Sequence, residues 1–158
     1  MIRFLDVLFS AAGLVLLSPL ILFVLVLGWF DTRSPLFRQE RVGRNRRPFV
    51  LIKFRTMRLN TAEVATHLAD ASAITPLGRF LRRSKLDELP QLWNVLKGDM
   101  SLVGPRPCIF NQEDVIHERA VRGVLEALPG ITGLAQIQKI DTSTPKLLAE
   151  TDAEMVKT

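Results

Sequence analysis

The chain has no tyrosine, one cysteine and two histidines among 158 residues. Lone Cys108 excludes an internal disulfide and a cysteine-based metal cluster, and it fits a reducing compartment. His67 and His117 stand apart from Cys108 and from each other, so neither a zinc site nor a histidine-based nucleophile triad is expected. Nine phenylalanines and two tryptophans are present, but they are not interleaved with the arginines as stacking platforms. The net charge of +5 therefore points away from nucleic acid and toward an anionic membrane surface or a phosphate substrate. No repeat or low-complexity linker breaks the chain, whose length suits one domain.

Charge is missing most completely from Val7 to Phe30, a run of 24 uncharged residues. At 1.5 Å per residue it is long enough to cross a hydrocarbon core of about 30 Å. A cleaved signal peptide fits poorly: Arg3 alone is a thin basic region, the run is too long, and no small-x-small cleavage site follows. Ser18-Pro19 lies near the midpoint. Proline there frees the Val15 carbonyl and bends the helix, and Ser18 can help satisfy the backbone. Two topologies follow. A kinked spanning helix would put the basic Arg33 to Arg58 side in the cytoplasm and the N-terminus outside; a re-entrant hairpin would return both ends to one side.

A basic block follows the apolar run directly. Residues 31–60 carry nine Lys/Arg against two acids. Ser34 to Met57 reads as strand, turn, strand, with Arg44-Asn45-Arg46-Arg47 at the turn. Lys53 and Arg55 on the second strand are candidate phosphate partners. Residues 60–73 read as a short amphipathic helix and a loop. Thr75-Pro76 then opens a helix with proline at its first position, setting Arg79, Arg82 and Arg83 within one turn.

Ahead lies the paired carboxylate Asp87-Glu88. With Asp87 as N-cap, a helix over Glu88 to Lys97 is expected, with Leu89, Leu92, Trp93 and Leu96 as its buried stripe and Gly98 just past its end. Read plainly, Asp87 only satisfies backbone donors. Its neighbours say more: Arg79, Arg82, Arg83 and Lys85 precede the pair, and Arg106 follows it. Such cations can hold phosphates and should keep Asp87 ionised. An ionised carboxylate at such a site can bind Mg²⁺ through oxygen or attack phosphorus to form an acyl phosphate, and spacing does not choose. Met100 to Val103 reads as a short strand, and Pro105 and Pro107 make a rigid turn that presets Arg106. Asn111 to Leu128 reads as a helix, Pro129-Gly130-Ile131-Thr132-Gly133-Leu134 as a turn, and Lys146 to Lys157 as a final helix.

Leu86-Asp87-Glu88-Leu89-Pro90-Gln91-Leu92, Lys97-Gly98-Asp99-Met100-Ser101 and Val103-Gly104-Pro105-Arg106-Pro107 closely resemble the bacterial sugar transferase family of small monotopic phosphoglycosyl transferases. Lys53-Phe54-Arg55-Thr56-Met57 and Pro129-Gly130-Ile131-Thr132-Gly133 extend the likeness over roughly the first 140 residues. The resemblance implies a nucleophile at Asp87, a partner carboxylate at Glu88 and Mg²⁺ held by the two. Phosphate binding by Lys53, Arg55, Arg82 and Arg106 is expected around them. It also implies a UDP-sugar donor, a polyprenyl (undecaprenyl) phosphate acceptor and a re-entrant break at Ser18 and Pro19.

The expected architecture is helix-dominated α+β: a membrane anchor over 1–31, continuous with a catalytic domain over 32–158 on the cytoplasmic face of a bacterial inner membrane. Membrane lipids are expected partners and nucleic acid is not. The alternative is a non-catalytic adaptor that binds anionic lipids through the basic hairpin. The identity of the sugar, the glycan pathway and the oligomeric state are not written in the residues.

Overall fold

The apolar run breaks where proline denies it a hydrogen bond. In the computed structural model, which describes residues 2–59 and 71–157, helices α1 (Ile2–Leu16) and α2 (Ser18–Thr32) meet at a bend of 63°. Ser18 Oγ donates to the Val15 carbonyl at 2.8 Å, filling the place of the N–H that Pro19 lacks. Among the described residues no single helix is long and apolar enough to cross a membrane; the bent pair meets that test only together, by length and composition.

Polar groups fasten both ends of the pair to one body. Near the start of α1, the Arg3 guanidinium donates to the carbonyls of Val95 at 2.6 Å and Leu96 at 2.9 Å. One turn on, buried Asp6 accepts from Ser101 Oγ at 2.8 Å and from the Leu102 N–H at 3.0 Å. At the far end of α2, Asp31 Oδ2 accepts from Thr75 Oγ1 at 2.7 Å.

Strands β1 (Leu36–Val42) and β2 (Pro48–Phe54) form the expected basic hairpin, antiparallel with Phe37 opposite Lys53 and Arg41 opposite Phe49. Its alternation feeds three apolar clusters. Phe49 and Leu51 pack with Val95 and Met100, Phe54 with Val24 and Leu81, and Val42 with Cys108, Val115, Ala135 and Leu148.

Around the hairpin lie α3 (Pro76–Ser84), α4 (Gln91–Lys97), β3 (Ser101–Val103), α5 (Glu113–Val121), β4 (Gly130–Thr132), α6 (Leu134–Ile137) and α7 (Pro145–Lys157). Strands β3 and β4 pair in parallel, and the chain is the helix-dominated α+β fold expected. Thr75 caps α3 by accepting from the Gly78 N–H at 2.9 Å. Gly78 rides so close to β2's exit that a Cβ there would meet the Thr56 carbonyl oxygen at 2.0 Å.

Four local expectations change, the first being that Pro129 to Leu134, read as a turn, holds β4 and the start of α6, because Gly130 and Thr132 pair with Ser101 and Val103. The dyad lies not in the helix but in a 3₁₀ turn, Leu86–Glu88, entered through Lys85 at φ 60°. Pro90 has no N–H to offer the Leu86 carbonyl, which Leu89 N–H takes at 3.2 Å instead, so α4 begins only at Gln91 and Asp87 caps nothing. Trp93 is half exposed, while Gln91, Asn94 and Val95 are buried. Asn94 turns inward because its amide donates to the Val50 carbonyl at 2.7 Å and accepts from the Ile52 N–H at 3.1 Å, closing the free edge of β2. The helix expected over Asn111 to Leu128 stops at Val121. Gly123 then takes φ 74° and a 3₁₀ turn, Val124–Glu126, follows. The element expected at 60–73 falls largely outside the described residues, within which Ala71–Ala73 form a 3₁₀ turn.

Candidate active site

Asp87 sits between α3 and α4 with 7% of its surface exposed. Its Oδ1 is buried and makes no hydrogen bond among the described residues. Burial first, then adjacent Glu88, push its pKa up, against Lys53, Lys85 and Arg82, which pull it down. Burial and Glu88 thus act against the cations expected to keep Asp87 ionised. The result is a desolvated carboxylate whose pKa is raised.

The cations arrive from different elements. Lys53 comes from β2, among Arg41, Asp87, Arg82 and Arg106, and its pKa falls from 10.5 to about 8. Burial is the main cause, followed by the Arg41 charge. Arg82 comes from α3, with Nε donating to Thr56 Oγ1 at 2.8 Å and its pKa lowered by burial against the pull of Asp87. Of the three arginines on that turn, Arg79 and Arg83 are exposed. Arg106 turns its guanidinium to Glu88, Nη2 to Oε1 at 2.7 Å.

Arg55 has other partners. Nε donates to the Ser34 carbonyl at 2.8 Å and Nη2 to the Leu36 carbonyl at 3.3 Å. It shares the Phe37 ring with Lys53, the two cations lying 5.4 and 5.3 Å from the centroid. It opens onto a separate cavity of about 460 Å³ with Trp29, Arg33 and Arg38.

Arg106 is held by backbone. The carbonyls of Pro105, Arg106, Pro107 and Cys108 accept from Gly130 N–H at 2.9 Å, Arg119 Nη1 at 2.8 Å, Arg41 Nη1 at 3.3 Å and Val42 N–H at 2.9 Å. The rigid turn expected from its prolines is real, but its anchors come from elements distant in sequence.

Two clefts meet here. One, about 360 Å³, runs past Glu88 along Leu89, Leu92, Ile131 and Ile137. The other, about 410 Å³, is lined by Arg41, Lys85, Arg106, Arg119 and Lys139. Lys85 and Gln136 border both. Arg41, Arg119 and Gln136 escaped the sequence reading. Arg41 had a signal in strand alternation, which sets it in a basic hairpin beside Phe49; Arg119 and Gln136 had none, since their roles depend on tertiary contacts.

Among the described residues no three His, Cys, Asp or Glu side chains converge as a metal cage. The pair Asp87 and Glu88 nonetheless fits Mg²⁺, which takes one or two carboxylates and completes its shell with water and substrate phosphates. The unpartnered Oδ1 of Asp87 agrees with that donor set.

Comparison with known proteins follows the same lines. The chain is 41% identical over 157 residues to UDP-glucose:undecaprenyl-phosphate glucose-1-phosphate transferase of Caulobacter vibrioides, covering 94% of this chain and 58% of that protein. It is 38% identical over 152 residues to undecaprenyl-phosphate galactose phosphotransferase of Salmonella typhimurium, covering 85% and 32%. It is 37% identical over 153 residues to exopolysaccharide production protein ExoY of Sinorhizobium fredii, covering 85% and 67%. An uncharacterized sugar transferase of Haemophilus influenzae matches at 38% identity, with 85% of this chain and 32% of that protein covered. The chain thus spans about a third to three fifths of the length of several of its curated relatives. The family model described as bacterial sugar transferase matches residues 1–158, taking in the bent helix pair, the buried dyad and the turn that carries Arg106, and the chain belongs to that family.

Proposed function

We propose that this chain transfers a sugar 1-phosphate from a UDP-sugar to a polyprenyl phosphate such as undecaprenyl phosphate, releasing UMP and giving a polyprenyl-diphosphate sugar. The observation that carries the reading is Asp87 Oδ1: buried, without a hydrogen-bond partner among the described residues, and surrounded by Lys53, Lys85 and Arg82. A capping aspartate would spend that oxygen on backbone donors. A nucleophile leaves it free.

In the first displacement an Asp87 oxygen attacks the phosphorus that bears the sugar. The bond from that phosphorus to the UMP oxygen breaks, and UMP leaves with the electron pair. In the second, an oxygen of the lipid phosphate attacks the same phosphorus and breaks the acyl phosphate bond, restoring the Asp87 carboxylate. Lys53, Arg82 and Arg106 are positioned to offset charge on the phosphates, the main lever in phosphoryl transfer. Mg²⁺, held by Asp87 and Glu88 with the donor phosphates, would add further neutralisation. The cleft lined by Arg41, Lys85 and Lys139 suits the anionic nucleotide, and the one along Leu92, Ile131 and Ile137 suits the lipid. Arg55 belongs instead to the shell that holds β1 and the end of α2.

The reaction unites a soluble donor with a membrane acceptor, so we place the site at the cytoplasmic surface of a bacterial inner membrane. The bent α1–α2 pair would enter the bilayer and return, and the shared attachment of Arg3, Asp6 and Asp31 to one body supports that topology.

Purified protein given Mg²⁺ and donor without acceptor should release about one UMP per active site and carry a sugar phosphate on Asp87. Asp87→Asn should do neither. UMP release that depends strictly on acceptor, with no adduct by mass spectrometry, would sink the covalent route. Unchanged turnover in Asp87→Asn would remove the nucleophile role, whereas no metal-dependent UMP release from wild-type protein would return the chain to the adaptor reading.

A further inference from the structure

The turn that delivers Arg106 to the dyad is held by its carbonyls. Pro105 and Pro107 contribute no N–H, so they fix the turn's φ angles but not its place in the molecule. Three of its four carbonyls, those of Pro105, Pro107 and Cys108, are tied to backbone of β4 and β1 or to the β1 side chain Arg41. The Arg106 carbonyl, on the residue that reaches Glu88, is tied to a side chain from elsewhere: Arg119 Nη1 of α5, at 2.8 Å.

Arg119 is no ordinary surface arginine, being 3% exposed. Its other edge donates twice to Asp152 Oδ2 on α7, from Nε at 2.9 Å and from Nη2 at 2.7 Å. Asp152 is 1% exposed, and its second oxygen has no partner among the described residues. Such a pair is costly to bury, and two well-packed apolar side chains would fill the α5–α7 contact more simply. What apolar side chains cannot do is hold a planar donor array so that its third N–H meets one particular carbonyl. A continuous path results: Asp152 fixes the Arg119 plane, Arg119 fixes the Arg106 peptide, and the Arg106 guanidinium meets Glu88 Oε1 at 2.7 Å.

We propose that Asp152 and Arg119 are positioning residues for the dyad, through which α7 sets where Arg106 meets Glu88. The proposal rests on the transferase reading above. It adds that the final helix takes part in chemistry through Asp152, which reaches the dyad only by way of Arg119 and Arg106. Leu148 and Ala149 of the same helix belong to the core, so α7 is also structural. The test must separate the two roles.

Asp152→Asn keeps the shape and one acceptor but leaves the Arg119 charge buried without a counter-ion. Arg119→Lys keeps the charge opposite Asp152 but replaces the three-point fork with one ammonium, which does not reproduce the bridge to the Arg106 carbonyl. In a single-turnover assay with donor, the size of the UMP burst counts folded sites and its rate reports their geometry. Both variants should show a burst rate down by about tenfold, with amplitude per folded protein unchanged, as expected for displaced catalytic geometry. In an Arg106→Gln background, Asp152→Asn should change the rate by less than about twofold, because the residue it acts through is gone.

A loss confined to amplitude, or a tenfold loss that persists undiminished in Arg106→Gln, would overturn the proposal and leave Asp152 a purely structural ion pair. Should Asp152→Asn fail to fold, Arg119→Lys in the same two backgrounds decides. If wild-type protein gives turnover but no burst, the covalent route has failed rather than this inference, and the same cycle on kcat decides it. If wild-type protein gives no transfer at all, the transferase reading falls and this proposal with it.

Discussion

Arg106 Nη2 donates to Glu88 Oε1 at 2.7 Å, joining a turn after β3 to the carboxylate beside the nucleophile candidate. The arginine side chain is 43% exposed and the glutamate 11%, so the contact faces open space on one side only. Exposed pairs of this kind add little to folding. Its weight should fall on catalysis. Arg106→Gln is expected to lower kcat by about a hundredfold while moving stability by no more than about 0.5 kcal/mol. A thermal melt alongside steady-state UMP release checks both halves, and a stability loss large enough to explain the activity loss would remove the catalytic role.

If Lys53 holds donor phosphate as proposed, it should give the reaction a basic limit. Burial and Arg41 hold its pKa near 8, well below 10.5, so it loses its charge as pH rises through 8. In the proposed reaction that charge faces the donor phosphates. We expect kcat/KM for the donor to fall toward tenfold per unit above about pH 8, and Lys53→Arg to flatten that limb. Stability moves the other way. Between pH 8 and 10.5 the unfolded chain binds the proton that the folded chain has lost, so this group's contribution to stability rises with pH across that window. Parallel loss of activity and of fold above pH 8 would mean the limb belongs to unfolding.

The hairpin, the proline break and the proline-opened α3 were legible because each rests on local rules: alternation, a missing N–H, a cap. The candidate pair Asp87-Glu88 stood out by its cationic neighbours, and the likeness of its motif to a family sharpened it. What could not be read was decided across the fold. Asn94 looks like a polar position on an exposed helix face until β2 presents it with an open edge, and Trp93 is displaced outward as a result. Asp87 is read among cations in the sequence, and only the fold adds the burial that acts against them. Arg55 is sequence-adjacent to a phosphate candidate, yet the Ser34 and Leu36 carbonyls claim its guanidinium.

Asn94 offers a stability test. It is fully buried, serves both Val50 and Ile52, and donates to Asp99 Oδ2 at 3.2 Å. Asn94→Leu keeps the branching but adds volume at a fully buried site and strands a part-buried carbonyl and N–H on β2. The expected cost is about 2–4 kcal/mol, measured by thermal denaturation in detergent. Asn94→Asp keeps an acceptor for Ile52 but sets a carboxylate against the Val50 carbonyl and Asp99, and should cost at least as much. Values within about 0.5 kcal/mol of wild type would mean that water replaces the amide and that β2 has no need of α4.

The re-entrant topology proposed for α1 and α2 can be tested from the first turn. Thirty residues of straight helix would separate Arg3 from Arg33 by about 45 Å. Instead Arg3 meets the Val95 carbonyl at 2.6 Å while Asp31, next to the other end, meets Thr75 at 2.7 Å. Both Val95 and Thr75 belong to the body that carries the dyad, and a spanning arrangement would have to strip Arg3 and Asp6 from α4 and β3. That would leave a guanidinium and a carboxylate to find new partners across the bilayer. Ile2→Cys should therefore resist an impermeant maleimide applied to intact cells and react once the membrane is opened, as should Arg44→Cys at the tip of the hairpin. Cys108 is buried and contributes little background. Labelling of Ile2→Cys from outside, with Arg44→Cys still protected, would establish the spanning helix and break the link between Arg3 and α4 in the membrane.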